Sequence, residues 1–222
     1  MVERRFITRN HTGTKRDYLA RVNNLEMPKH RAAELAKQWG FDYWDGDRSI
    51  NYGGHFYKKG YWESTARGLI ETYSLNSKSR VLDVGCGKGF LLKEIVDLVP
   101  GIDICGLDVS SYAIDNAHPD IAHQLKLGHA ARLPFNDQEF DLVFSINTLH
   151  NLHAYDLHSA LLEIQRVGKS SFICVESYRD EIEKQNLLYW QVTCEAFNTP
   201  DEWLWWFKLA GYTGDYEFIF FE

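Results

Sequence analysis

Three glycines in five positions, Gly85, Gly87 and Gly89, follow the apolar run Arg80-Val81-Leu82-Asp83-Val84 and precede a second apolar stretch at 90–96. Glycine lets a backbone turn sharply and lets a ligand come close. A strand, a glycine turn and a helix start, in that order, are the parts of a nucleotide-type site, because free N–H groups and the helix dipole would point at the ligand. The spacing is Gly-x-Gly-x-Gly, not the Gly-x-Gly-x-x-Gly of a dinucleotide turn. Asp83, two residues before the first glycine, sets the charge. A carboxylate there suits a ligand with an amino group and opposes a pyrophosphate. Asp108 closes a second apolar run, where a carboxylate can accept both hydroxyls of a ribose.

Candidates for chemistry on an acceptor lie further along. After a later apolar run the chain reads Ser145-Ile146-Asn147-Thr148-Leu149-His150. His150 is the best-placed base by position and ordinary pKa, with a capping or core-packed imidazole as the alternative. Glu176 and Tyr178 stand at the end of the next run and offer a carboxylate and a phenol to a polar acceptor, or, for Glu176, a plain strand-end charge. His150 and His153 have helical spacing but no evident third ligand, so no metal site is expected. Tyr52, Tyr57, Tyr61 and Trp62 would cover a cofactor if the N-terminal segment folds back on a Gly53-Gly54 hinge. Tyr189, Trp190 and Phe197 would wall an acceptor pocket, and aromatic walls suit sugars, aromatic rings or lipid-like molecules.

The elements that must position these groups alternate. Strands are expected at 81–84, 104–109, 125–127, 141–146, 171–176 and 216–221. Helices are expected at 28–39, 63–73, 89–98, from 110–111 onward, and at 155–167. A last helix opens with the capping box Thr199-Pro200-Asp201-Glu202 and ends at Gly211. Trp203, Trp206 and Phe207 share one face of it, which reads as core. Residues 1–27 read as weakly structured and 41–57 as an aromatic loop. The alternation implies an α/β fold, a doubly wound sheet with ligands at the carboxyl ends of its strands.

With Gly128-His129-Ala130-Ala131-Arg132-Leu133-Pro134-Phe135 ahead of the fourth strand, four motifs fall in one order across roughly residues 78–176. Together they resemble the class I S-adenosylmethionine-dependent methyltransferases. The resemblance implies a mostly parallel sheet of six or seven strands, and S-adenosylmethionine as cofactor with S-adenosylhomocysteine as product. It places Asp83 under the methionyl and sulfonium region and the Gly85-Cys86-Gly87 backbone against the methionine moiety. Asp108 would bind the ribose, Val109 would pack on the adenine, the His129-Ala130 turn would read the adenine edge, and Asn147 would lie beside the methyl group. Tyr57 is expected over the cofactor from the cap. The chain departs from the family in having His129 where Asp is frequent, in lacking a Pro-Gly-Gly before the fifth strand, and in its short C-terminal end.

Residues 1–60 are expected to form an arm and helical or loop cap, and 61–222 the Rossmann-like domain, with an insertion near 177–199 beside the acceptor. The formal net charge is −7, and 45% of residues are apolar. Residues 1–31 hold a basic excess, read chiefly as a solvated arm. The acidic remainder argues against nucleic acid as substrate. No apolar run is long enough for a membrane span, the first residues lack a signal-peptide core, and the four cysteines show no metal-type pairing, so a cytoplasmic protein with reduced thiols is expected. The acceptor is expected to be a small molecule or glycan, methylated on O or N. The alternatives are a nicotinamide-dependent oxidoreductase and a non-catalytic S-adenosylmethionine-binding subunit.

Overall fold

A computed structural model describes residues 1–7 and 16–222. Six strands form one parallel sheet: β1 (Arg80–Val84), β2 (Asp103–Asp108), β3 (Leu125–Leu127), β4 (Phe140–Ile146), β5 (Gly168–Glu176) and β6 (Asp215–Ile219). Their spatial order is β3-β2-β1-β4-β5-β6, and every pairing is parallel. Nearly continuous burial along β1, β4 and β5 is what a sheet covered on both faces requires. Chain order reverses between β1 and β4, so their carboxyl ends splay apart and leave a crevice.

Alternate residues of each strand serve opposite layers. Leu82, Val84, Leu107 and Val143 pack with Leu157, Leu161 and Ile164 of α7 (Ala154–Val167) and with Trp203 and Phe207 of α9 (Pro200–Leu209). Val81, Ile104, Leu142, Phe144 and Phe172 pack with Leu69 of α4 (Glu63–Thr72), Leu92 and Ile95 of α5 (Phe90–Leu98), and Leu187 of α8 (Glu181–Trp190). The capping box of α9 forms in full, with Glu202 N–H donating to Thr199 Oγ1 and the Glu202 carboxylate accepting from Thr199 N–H. α8 lies within the segment expected to be an insertion. Its helix was not legible in the sequence because its apolar side is narrow, with Leu187 as its buried apolar residue.

The first residues are ordered against the sheet, contrary to a solvated arm. Glu3 bridges Tyr216, Arg4 pairs with Asp215 at 2.8 Å, and the N–H groups of Phe6 and Ile7 donate to Glu217. The arm thus covers the outer edge of β6, where unpaired backbone groups would otherwise face water. The remainder of the expected loose region includes residues 8–15, which lie outside the described residues, and α1 (Tyr18–Val22), capped by Asp17. α2 runs over Lys29–Ala36, shorter than expected, and Trp39 takes the left-handed conformation at φ 54° while Gly40 caps α3 (Phe41–Trp44). The short helix α6 (Ser111–Asp115) follows β2 with Ser110 as its cap. No helix among the described residues is long and apolar enough to cross a membrane.

Candidate active site

The glycine turn leaves β1 at the crevice with Gly85, Gly87 and Gly89 all at positive φ, 85°, 54° and 78°. Side chains are excluded there by space as well as by conformation. A Cβ on Gly85 would overlap the Thr148 side chain, and one on Gly87 would stand 2.7 Å from the Trp44 ring. The turn differs from a phosphate cradle in one respect. Its amides are already used: Gly85 and Cys86 donate to the Leu107 carbonyl at 2.7 and 3.2 Å, and Gly87 donates to Asp108 Oδ2 at 2.7 Å. For these three residues the expectation of free N–H groups aimed at a ligand is corrected. The neighbouring strand β2 takes them, and the carboxylates of Asp83 and Asp108 flank the turn.

Asp83 is 5% exposed, and burial followed by the nearby Asp108 pushes its carboxyl well above the ordinary range. Asp108 accepts from Gly87 and from Ser110 N–H at 2.8 Å, yet burial still raises its pKa. Both groups would be relieved by a cationic or hydroxyl-rich ligand. Asn147, at the end of β4, has φ 55° and a buried Oδ1 with no hydrogen-bond partner. An orphaned acceptor, two strained carboxylates and a turn without room for side chains fit the amino, sulfonium and ribose groups of S-adenosylmethionine.

Two cavities open on this crevice. The first, about 300 Å³, is lined by Gly85, Asp108, Val109, His129, Ala130 and Asn147, six of the expected cofactor residues. His129 is engaged within its own turn, its Nδ1 accepting from Ala131 N–H at 3.2 Å. The second, about 500 Å³, holds His150 and Glu176 together with Tyr61, Trp62 and Trp190. The cavities share Tyr43, Tyr52, Asn147, Asn151 and Thr193 as their common wall.

His150 is fully enclosed, and burial drives its pKa down to about 3. Its Nδ1 accepts from the Glu176 backbone N–H at 3.4 Å, which leaves the proton on Nε2, 3.5 Å from Glu176 Oε2. The contact is a neutral imidazole facing a carboxyl. Burial raises Glu176 to about 8, while Gln191 Nε2 lies 2.6 and 2.5 Å from its two oxygens. These two groups are mutually engaged, which is the arrangement of the core-packed alternative for His150.

Five expected residues line neither cavity: Asp83, Cys86 and Gly87 belong to the end of β1 and the turn beside Gly85, while Tyr178 and Tyr57 stand apart. Tyr178 lines neither cavity; it packs in the apolar layer with Leu187 and Phe221, beneath the Lys184 ammonium. Residues after β5 turn into α8, and that turn carries the phenol away from the crevice. Tyr57 also lines neither cavity, because its hydroxyl donates to Glu94 of α5 and its ring meets His118. Cys86 contributes its backbone to the turn, while its thiol is pushed well up by burial and Asp83.

The cap contributes residues that sequence patterning did not single out. Trp44 Nε1 donates to Ser110 Oγ at 3.0 Å, and its ring stacks on Tyr52 at 5.5 Å. Lys88, inside the glycine turn, is 4% exposed and donates to both Asp45 oxygens at 2.8 and 2.7 Å and to the His55 carbonyl at 3.0 Å. Burial opposes ionisation of Asp45, but hydrogen bonds from His55, Lys88 and Tyr112 outweigh it and lower its pKa. The cap is thus pinned to the turn it covers. The density of aromatic residues at 39–57 was the available signal, and it carried no period from which their placement could be read.

A family model described as a methyltransferase domain matches residues 75–211. The chain is 32% identical over 129 residues to a sterol 24-C-methyltransferase of Gibberella zeae, covering 52% of this chain and 33% of that one. It is 28% identical over 151 residues to an uncharacterised methyltransferase of Synechocystis, covering 67% and 61%. This chain thus spans from a third to about three-fifths of the length of these relatives. Among solved structures, the YcgJ protein of Bacillus subtilis superposes with a TM-score of 0.55 at 21% identity, over 65% of this chain and 66% of that one. The [4+2]-cyclase SpnF superposes at 0.52 and 20%, over 71% and 60%, a likeness of fold alone. The family match and the six-stranded parallel sheet place the chain in the class I S-adenosylmethionine-dependent methyltransferase family.

Proposed function

We propose that the protein transfers a methyl group from S-adenosylmethionine, held in the first cavity, to an O or N atom of a small molecule held in the second. The observation that carries this reading is the shared wall. Asn147, beside which the family places the methyl group, borders both cavities, so a donor in one and an acceptor in the other would meet there. When bound, the cofactor supplies an electrophilic methyl on a cationic sulfur. The residues of this chain align the acceptor and exclude water, which is most of what methyl transfer requires. Asp83 balances positive charge, Asp108 accepts ribose hydroxyls, and Tyr43 and Tyr52 close the junction. His150 and Glu176 act as a positioning pair in the acceptor wall. With both imidazole nitrogens facing Glu176, the acceptor's proton leaves by another route or the acceptor carries none.

Titration calorimetry with S-adenosylhomocysteine and, separately, NADH tests the cofactor assignment. Binding of the first without the second is expected, and the reverse would restore the oxidoreductase alternative. Labelled methyl transfer into small molecules of a cell extract distinguishes an enzyme from a binding subunit. Label in the protein fraction alone would overturn the small-molecule reading.

A further inference from the structure

The second cavity is cationic in a protein whose net charge is −7. Arg16, Arg48 and Lys58 line it, and Glu176 is the single carboxyl among its described lining residues. The guanidinium carbons of Arg16 and Arg48 lie 5.3 and 5.6 Å from the centroid of the Trp190 ring. A third, Arg21, lies 5.4 Å from the same ring. Arg21 is 8% exposed and donates to the Ile50 carbonyl at 3.0 Å, so it serves to pack α1 against α8. Arg48 and Lys58 are exposed on the cavity side and are not needed for that packing.

Three guanidinium groups around one indole repel each other. Burial and then Arg48 lower the pKa of Arg21 to about 10; burial chiefly lowers that of Arg16, where Arg48 opposes the charge and Tyr18, Glu176 and Tyr61 favour it. Arg48 donates to the Asn51 carbonyl, which leaves its charge uncompensated by that contact. Such a cluster stores an electrostatic cost that an oxyanion converts into attraction, and guanidinium groups suit carboxylates and phosphates because their N–H donors form parallel pairs with the oxygens. Glu176 fills this role only in part, since burial raises it to about 8 although Arg16 draws it down.

We propose that the acceptor is a small molecule bearing a carboxylate or a phosphate, and that Arg48, with Arg16 and Lys58, selects it by that group. The proposal rests on the second cavity being the acceptor's. Tyr61, Trp62 and Trp190 would flank the apolar body of such a molecule.

Calorimetric titration of the full chain saturated with S-adenosylhomocysteine tests this, using benzoate, phenyl phosphate and benzamide as probes. At least one anion is expected to bind saturably, and at least tenfold more tightly than benzamide. Arg48→Gln is expected to weaken the anions tenfold or more, with benzamide and S-adenosylhomocysteine affinities unchanged. Lys58→Gln, at an exposed position, should give a smaller loss in the same direction. Benzoate ahead of phenyl phosphate assigns a carboxylate, and the reverse a phosphate. Benzamide binding as well as the anions, no saturable anion binding, or anion affinity unchanged by Arg48→Gln would each overturn the proposal. Failure of S-adenosylhomocysteine to bind would sink the cofactor reading instead. The same anion titrations on the protein alone would then decide the cationic site separately.

Discussion

The two cavities share a wall and differ in charge. Asp108, Asp156 and Glu195 line the first against Lys37, whereas Arg16, Arg48 and Lys58 line the second against Glu176. Lys37 and Glu195 are themselves paired, so the first remains acidic. The contrast follows from which elements supply each wall. In the first, Asp108 ends β2, Asp156 lies on α7 and Glu195 follows α8, while the cap adds Lys37, Trp39 and Trp44. In the second, the cations Arg48 and Lys58 come from the cap and Arg16 from just before α1, facing Trp190 of α8. A sulfonium and an anionic acceptor would each find the opposite charge, with the neutral Asn147, Asn151 and Thr193 between them. Charge separation of this kind orients both reactants before any bond changes.

The largest test breaks both cavities at once. Lys88→Met would leave the partly buried Asp45 without its cation, at a cost of about 3 kcal/mol, the low end for a fully buried pair. The cap should loosen from the glycine turn, seen as a lower Tm and faster proteolysis near residues 45–55. An unchanged Tm would show that the pair does not hold the cap.

A second test separates the cavities by pH. Glu176 rises from 4.5 to about 8 on burial, so between these values the folded state binds more protons than the unfolded one. Its contribution to stability is complete below pH 4.5 and is lost as pH rises through 8. His150, lowered from 6.5 to about 3, acts in the opposite sense and only below pH 6.5. From pH 6.5 to 8.5, Glu176→Gln should therefore abolish a stability decline on the order of a few kcal/mol, without changing S-adenosylhomocysteine affinity. An identical pH slope in the variant would refute the assignment.

Asp108→Ala probes the acidic cavity alone. Losing the ribose hydrogen bonds should weaken S-adenosylhomocysteine binding by about 1–3 kcal/mol in calorimetry, while benzoate affinity stays the same. Unchanged cofactor affinity would remove Asp108 from the ribose site. The smallest effect is expected at His129. Its Nδ1 is occupied by Ala131, so His129→Ala should alter cofactor affinity by about 1 kcal/mol or less. A larger loss would show that the ring contacts the adenine directly.

The strand-to-turn grammar of β1 and β2 was readable because it depends on local needs. Gly85 must adopt positive φ, Ser110 must cap a helix, and Asp108 must end an apolar run. Six of the residues expected at the cofactor line the first cavity, Gly85 and Asp108 among them on local grounds and the others through the family resemblance. The acceptor side was less legible. Tyr57 is expected over the cofactor from a cap that folds back, and Tyr178 at the end of β5, yet each turns away where a neighbouring helix offers it a better partner, Glu94 in one case and the apolar layer under α8 in the other. Arg48 and Trp190 lie far apart in the chain, and nothing local links them.

By itself, the sequence determined the alternation of strands and helices, the family, and the carboxylates at the ends of β1 and β2. The alternation follows from hydrophobic periodicity and backbone conformation, which act over a few residues, and the family from the resemblance carried by four motifs in one order. Only the tertiary structure decided that the Gly85 and Gly87 amides are spent on β2, that Lys88 pins the cap through Asp45, and that arginines gather around Trp190. Those outcomes depend on which distant groups compete for one donor, one carboxylate or one ring face, and that competition is settled when the layers pack.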